Sequence, residues 1–263
     1  MNHRPRKRFG QNFLIDNNVV DNIVHAIDPR PGDHLVEIGP GQGAMTAPLL
    51  ESVGAMDVIE LDRDLAPWLE QNLGAAGSLR VHCADALRFD FRSLAEDGRP
   101  LRVVGNLPYN ISTPLLFHLT TTIDIIQDMH FMLQKEVVQR MAAGPGGKDY
   151  GRLSVMIQYY CGVEKLFDVR PGSFRPPPKV DSSVVRLIPH AEKPAPVRDE
   201  NDLATIVAAA FNQRRKTLRN ALKAWLTAEQ ITAAGVRPEA RAETLSLEQF
   251  AALSDAVSEG REG

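Results

Sequence analysis

The chain has 263 residues, 43% of them hydrophobic, with 30 Lys and Arg against 33 Asp and Glu for a formal charge of −3. That length supports one large core plus a small satellite domain, and no apolar run reaches the roughly 18 residues that a bilayer-spanning helix requires. Residues 1–8 are basic but lack the apolar stretch of a secretory signal, and Cys83 and Cys161 sit in apolar runs with no partner at ligand spacing, so a cytoplasmic protein with buried free thiols and no metal site or disulfide scaffold is expected.

In chain order, a basic prefix (Arg4, Arg6, Lys7, Arg8) leads through Asn12 and Leu14 to an amphipathic helix over 19–27, with Asp16 or Asn17 placed to cap it. A strand over 34–39 follows, then the turn Pro40-Gly41-Gln42-Gly43 and a helix running to about residue 51. Strand, glycine turn and helix form the entry to a doubly wound sheet, whose ligands bind beyond the strand ends. Gly39, Gly41 and Gly43 spell G-x-G-x-G, and Ala44 also satisfies the dinucleotide pattern, so the turn alone leaves NAD and S-adenosylmethionine both open. The next strand, 57–62, carries Glu60 near its end, about twenty residues on, where an acid can accept both ribose hydroxyls of an adenosine in either cofactor. A third strand over 79–84 ends at Asp85, whose carboxylate suits an adenine amine or, alternatively, a helix N-cap.

The fourth strand, 101–107, stops at Pro108, which cannot donate to a ladder. It delivers Asn106, Leu107, Pro108 and Tyr109: an amide, a proline carbonyl and a phenol at the rim of a sheet. An exocyclic base amine is a poor nucleophile because its lone pair is delocalised into the ring. The Asn106 side-chain oxygen and the Pro108 carbonyl can each accept one N–H, drawing nitrogen toward a tetrahedral form, while Tyr109 stacks on the base for roughly 1–3 kcal/mol. The competing reading is a tight Pro-containing turn with Tyr109 as core filler.

Beyond it come a helix from Ser112 or Thr113 with Pro114 in its first turn, a strand over 129–133, a helix over 135–141 and a flexible loop at 144–147. The apolar runs 153–161 and 184–188 are expected to form a final antiparallel pair. Between them, Pro176, Pro177 and Pro178 make a stiff loop able to present Phe174 as a second stacking face opposite Tyr109, or else a polyproline ligand. Lys193-Pro194-Ala195-Pro196 reads as a linker to a small helical domain. There Arg215, Arg219 and Lys223 fall at i, i+4 and i+8, a stripe suited to a phosphate backbone, with Arg214 and Lys216 beside it.

Five motifs occur together: residues 6–14 (RKRFGQNFL), 37–41 (EIGPG), 106–109 (NLPY), 174–182 (FRPPPKVDS) and 211–216 (FNQRRK). Their combination resembles the KsgA (RsmA) family of small-subunit rRNA adenine N6-dimethyltransferases, from about Arg6 to the last helices. The resemblance implies an α/β Rossmann-like methyltransferase fold with a seven-stranded sheet and a small all-α C-terminal domain, divided as 1–192 and 193–263. It implies S-adenosylmethionine as donor and S-adenosylhomocysteine as product, with Asn12, Leu14, Gly39, Gly41, Glu60, Asp85 and Asn106 around the cofactor. Asn106, Pro108, Tyr109 and Phe174 would serve the reacting adenine, and Arg214, Arg215, Lys216, Arg219 and Lys223 the RNA. The implied reaction is N6,N6-dimethylation of two adjacent adenines in the 3′-terminal hairpin of 16S rRNA, within the pre-30S particle, by a monomer. Alternatives are a large-subunit rRNA adenine methyltransferase, an assembly factor that binds immature rRNA without essential catalysis, a DNA adenine methyltransferase and a NAD dehydrogenase.

Overall fold

The computed structural model describes residues 12–213 and 215–262. The basic prefix and Arg214 therefore lie outside the described residues. The chain divides into two compact units: one runs up to Val138 and takes in Val163–Pro189, and the other comprises Gln139–Gly162 and the chain from His190 onward.

In the first unit, β1 (Phe13–Leu14) precedes α1 (Asn17–Ile27), β2 (His34–Ile38), α2 (Thr46–Val53), β3 (Ala55–Glu60), α3 (Leu65–Leu73) and β4 (Ser78–Cys83). It continues with β5 (Leu101–Asn106), α4 (Ser112–Thr120) and β6 (Ile126–Gln134), then the first half of α5 (Lys135–Ala142), whose second half is counted with the other unit. Asp16 caps α1 by accepting from the Asn18 and Val19 N–H groups, and Val20, Ile23 and Ile27 form the buried stripe of that helix.

A seven-stranded sheet runs β4-β3-β2-β5-β6-β9-β7, closed at one side by β7 (Cys161–Val169) and β9 (Ser182–Pro189). Neighbours from β4 to β6 are parallel, and β9 joins β6 antiparallel. β2 is buried at every position and β3 and β5 at nearly every one, as expected for parallel strands covered on both faces. The chain winds outward from β2 through β3 to β4, then returns to β5 on the other side of β2. That reversal opens a crevice beyond the carboxyl ends of β2 and β5, where doubly wound sheets bind ligands.

A second, two-stranded sheet pairs β1 with β8 (Phe174–Arg175), Leu14 opposite Phe174, and Ile15 N–H adds a bond to the Ser173 carbonyl at 2.9 Å. Nothing in the sequence pattern announces this pairing, because each strand is only two residues long.

The run 153–161 is a correction. Residues 152–160 form a helix, α6 (Arg152–Tyr160), and the strand that pairs into the sheet is the more polar segment after it, β7. A short run that is mostly apolar separates a buried helix from a buried strand only weakly; its two polar residues, Ser154 and Gln158, fall four apart, the helical spacing. Of the cysteines, Cys161 is buried and Cys83 is exposed.

The second unit is helical, with α6, α7 (Glu200–Asn212), α8 (Leu218–Ala221), α9 (Ala228–Ala233) and α10 (Leu247–Glu262). Leu203, Ile206, Val207 and Ala210 of α7 are buried, and Phe211 packs on Phe250 of α10 with ring centroids 5.7 Å apart. The stretch read as a linker is docked within this unit: the Lys193 ammonium stands 3.9 Å from the centre of the Tyr160 ring. Residues 139–162 belong with the C-terminal helices, so the chain enters this unit twice, where the sequence suggests one crossing near residue 192.

Candidate active site

The crevice at the sheet reversal is a cavity lined by residues 12–14, 37–42, 44–45, 59–61, 84–86 and 106–111, all from the first unit. On one side lies the turn after β2. Gly39, Gly41 and Gly43 have φ of 67°, 58° and 78°, the left-handed region that side chains disfavour. Gly41 has a second reason to be glycine, since a Cβ there would stand 3.0 Å from the Phe13 ring.

Glu60, 5% exposed, ends β3 against this turn. Its Oε2 accepts from Gly41 N–H at 3.2 Å and its Oε1 from Asp62 N–H at 2.8 Å. Burial raises its pKa despite these bonds. A carboxylate oxygen accepts more than one donor, so both oxygens keep capacity for hydroxyls entering the cavity. Asp85 also lines the cavity, and its Oδ1 accepts from Leu87 N–H at 3.0 Å. No helix starts there, so Asp85 is not the helix N-cap of the alternative reading; it caps a turn, and its second oxygen remains for a ligand.

On the other side stand the residues after β5. The Asn106 amide donates from Nδ2 to the Asn12 carbonyl at 3.1 Å. With its nitrogen committed there, its Oδ1 is left as an acceptor. The Pro108 carbonyl takes Ile111 N–H at 3.1 Å, which uses one of its two lone pairs. The Tyr109 hydroxyl lies 2.7 Å from Ser182 Oγ, and burial raises the phenol above its ordinary pKa. An amide oxygen, a carbonyl and an aromatic ring thus line the same cavity as the glycine backbone and the buried acid Glu60.

The ribosomal RNA adenine dimethylase model matches residues 2–259. The chain belongs to the ribosomal RNA adenine dimethylase family. Among relatives of this dimethylase-family chain is the ribosomal RNA small subunit methyltransferase A of Pseudomonas syringae pv. syringae, 60% identical over 257 residues, covering 98% of this chain and 96% of the relative. Among solved structures, a dimethyladenosine transferase from Plasmodium falciparum is similar with a TM-score of 0.77 at 26% identity, covering 92% of this chain and 95% of that one. The 23S rRNA methyltransferase ErmE is similar with a TM-score of 0.71 at 25% identity, covering 94% and 100%. Membership in a dimethylase family removes the dehydrogenase reading that the glycine turn left open.

Of the residues expected around a ligand, this dimethylase-family fold brings Asn12, Leu14, Gly39, Gly41, Glu60, Asp85, Asn106, Pro108 and Tyr109 to one cavity. Phe174 is the exception. It is 3% exposed and belongs to a core cluster with Leu14, Val20 and Val184, and it does not line the cavity. Its pairing with Leu14 across the two-stranded sheet turns the ring inward, so the second stacking face is not in place.

The basic stripe is also corrected. Thr217 has extended backbone at φ −68° and ψ 157°, which breaks the chain before α8, so Arg215, Arg219 and Lys223 do not share one helix. These three and Lys216 are nonetheless exposed.

Glu37 heads the EIGPG motif, but the sequence reading assigned it no role of its own. It is 1% exposed, lines the cavity, and accepts from Thr46 Oγ1 at 2.6 Å. Burial lifts its pKa to about 7, against the lowering bond from Thr46. The available signal was an acid between apolar Leu35-Val36 and Ile38 in a strand buried at every position. Among the described residues no group of three His, Cys, Asp or Glu side chains could hold a metal ion, and no helix is long and apolar enough to cross a membrane.

Proposed function

We propose that the chain dimethylates the N6 amine of two adjacent adenines in the 3′-terminal hairpin of 16S rRNA, in the pre-30S particle, using S-adenosylmethionine as methyl donor. It acts as a cytoplasmic monomer in small-subunit biogenesis. The observation that carries the reading is the Asn106 amide, held by the Asn12 carbonyl so that its oxygen is an acceptor beside Tyr109. The 60% identity to a small-subunit enzyme, against 25% to a large-subunit one, favours 16S over 23S rRNA.

The cavity fits the donor. Gly39 and Gly41 allow close backbone approach, Glu60 suits ribose hydroxyls, Asp85 an adenine amine, and Glu37 a cationic group. Bound there, S-adenosylmethionine supplies an electrophilic methyl group and leaves as S-adenosylhomocysteine. The protein's own part is positioning and fixed dipoles. An adenine turned out of its RNA stack, at a cost of a few kcal/mol, lies against Tyr109. Asn106 Oδ1 and the free lone pair of Pro108 accept from N6, which returns electron density to that nitrogen. No basic side chain is needed, because the proton leaves after nitrogen has become cationic. The remaining N–H of a monomethyl product permits a second round.

The exposed Arg215, Lys216, Arg219 and Lys223, with Arg214, contact RNA phosphates from the C-terminal helical region. The decisive experiment is to incubate the protein with labelled donor and unmethylated small subunits and to map the modified nucleotides. Asn106→Ala is expected to abolish transfer while lowering cofactor affinity far less, because Glu60, Asp85 and the glycine turn remain; unchanged turnover refutes the acceptor role.

A further inference from the structure

We propose that Ser182 is the positioning residue for Tyr109, its hydroxyl holding the phenol so that the ring keeps one orientation in the cavity. The inference rests on the adenine reading of the site and extends it to a residue that lies outside the cavity lining.

Tyr109 sits in the turn that follows Pro108, where the Ile111 N–H bond to the Pro108 carbonyl and the Ser112 Oγ bond to the Tyr109 carbonyl at 3.1 Å fix the backbone. Neither bond fixes the ring. Among the described residues, the polar tether on the ring is Ser182 Oγ at 2.7 Å. Ser182 can serve as an anchor because it is built into the sheet: it is 0% exposed and begins β9, in register with Gln134 of β6. The neighbouring Ser183 bonds Asp168 instead, so the two serines hold different partners. The anchor is seventy-three residues away in sequence, at the end of the proline-rich loop. That loop therefore reaches the site through Ser182, not through Phe174.

A stacking surface that can swing about its side-chain torsions loses part of its value for catalysis, because the base must present N6 to two fixed acceptors. The second transfer is the more sensitive, since N6 then carries a methyl group and fewer ring placements fit. Ser182 thus acts on rate and on completion of dimethylation, not on cofactor binding.

Three variants test this: Ser182→Ala, Tyr109→Phe and the pair together, with unmethylated small subunits and labelled S-adenosylmethionine. Each single variant is expected to lower kcat by about three- to tenfold, the net value of one hydrogen bond. The ratio of mono- to dimethyladenine should rise, with cofactor Kd unchanged. The double variant should be no worse than Tyr109→Phe, because both changes delete one contact. A readout free of catalysis is the ultraviolet titration of Tyr109, isolated from the other three of four tyrosines by subtracting the Tyr109→Phe spectrum. Loss of the Ser182 bond, which lowers the phenol pKa, should move that midpoint up. Multiplicative losses in the double variant, or a midpoint that stays put, overturn the positioning role. Wild-type protein that transfers no methyl group fails the adenine reading itself, whereas normal wild-type transfer with an unaffected Ser182→Ala variant fails only the role of Ser182.

Discussion

Glu37 is the acid in the cavity lining whose environment changes its chemistry most. Its carboxyl is buried beside Thr46, within the field of Glu60, and titrates near 7 instead of its usual 4.5. A carboxyl whose folded pKa is raised binds more protons in the folded state than in the unfolded state between those two values. Stability therefore falls as pH rises through that window, and the loss is complete above about 7. Glu37→Gln removes the titration. The variant is expected to gain on the parent by up to about 3 kcal/mol as pH rises from 4.5 to 7, read as the difference between urea melts at the two ends. A constant difference across the window would mean that Glu37 is ionised throughout. The raised pKa also gives the site a reason to retain an acid there: a cationic ligand group draws it back to the charged form.

At the scale of elements, one carboxylate ties three adjacent strands. Asp57 of β3 is 0% exposed and accepts from His34 Nε2 of β2 at 3.0 Å, and from Arg80 and His82 Nε2 of β4 at 2.6 and 2.7 Å. Burial alone would raise its pKa, but the bonds from His34, His82 and Arg80 outweigh it and set the value at about 2. A lowered carboxylate contributes stability that is present above its unfolded value, 3.8, and is lost as pH falls toward 2. Asp57→Asn should cost about 3 kcal/mol at neutral pH, since breaking a buried charge cluster from one side strands its partners. Thermal or urea unfolding at pH 7 checks this, and a loss under about 0.5 kcal/mol would make the cluster incidental. Because β3 and β4 deliver Glu60 and Asp85, a loosened edge should also weaken donor binding.

At the scale of the whole molecule, the cavity belongs to one compact unit and the exposed basic residues to the other. If those residues hold phosphates, they act through counterion release. Replacing Arg215 and Arg219 with Ala should reduce the slope of log affinity for unmethylated subunits against log salt by about 1.4 to 1.8. Donor affinity, set in the other unit, should not change. A slope equal to that of the parent would leave both arginines without a phosphate role.

What was legible in the sequence follows from how local each feature is. The glycine turn, the acid at the end of β3, Asp85 and the Asn106 to Tyr109 rim were readable because each is set by a strand end and a few neighbouring residues, and a parallel sheet gathers its strand ends on one side. The sequence by itself thus determined the chemistry available to the site and the family that uses it. Only the tertiary structure decided which way that chemistry faces. The Asn12 carbonyl orients Asn106, Ser182 anchors Tyr109, Leu14 opposite Phe174 keeps that aromatic in the core, and the extended backbone of Thr217 interrupts the basic stripe. The first three are contacts between segments more than seventy residues apart, whose partners depend on chain packing, and the last is a backbone torsion that helical spacing alone cannot reveal.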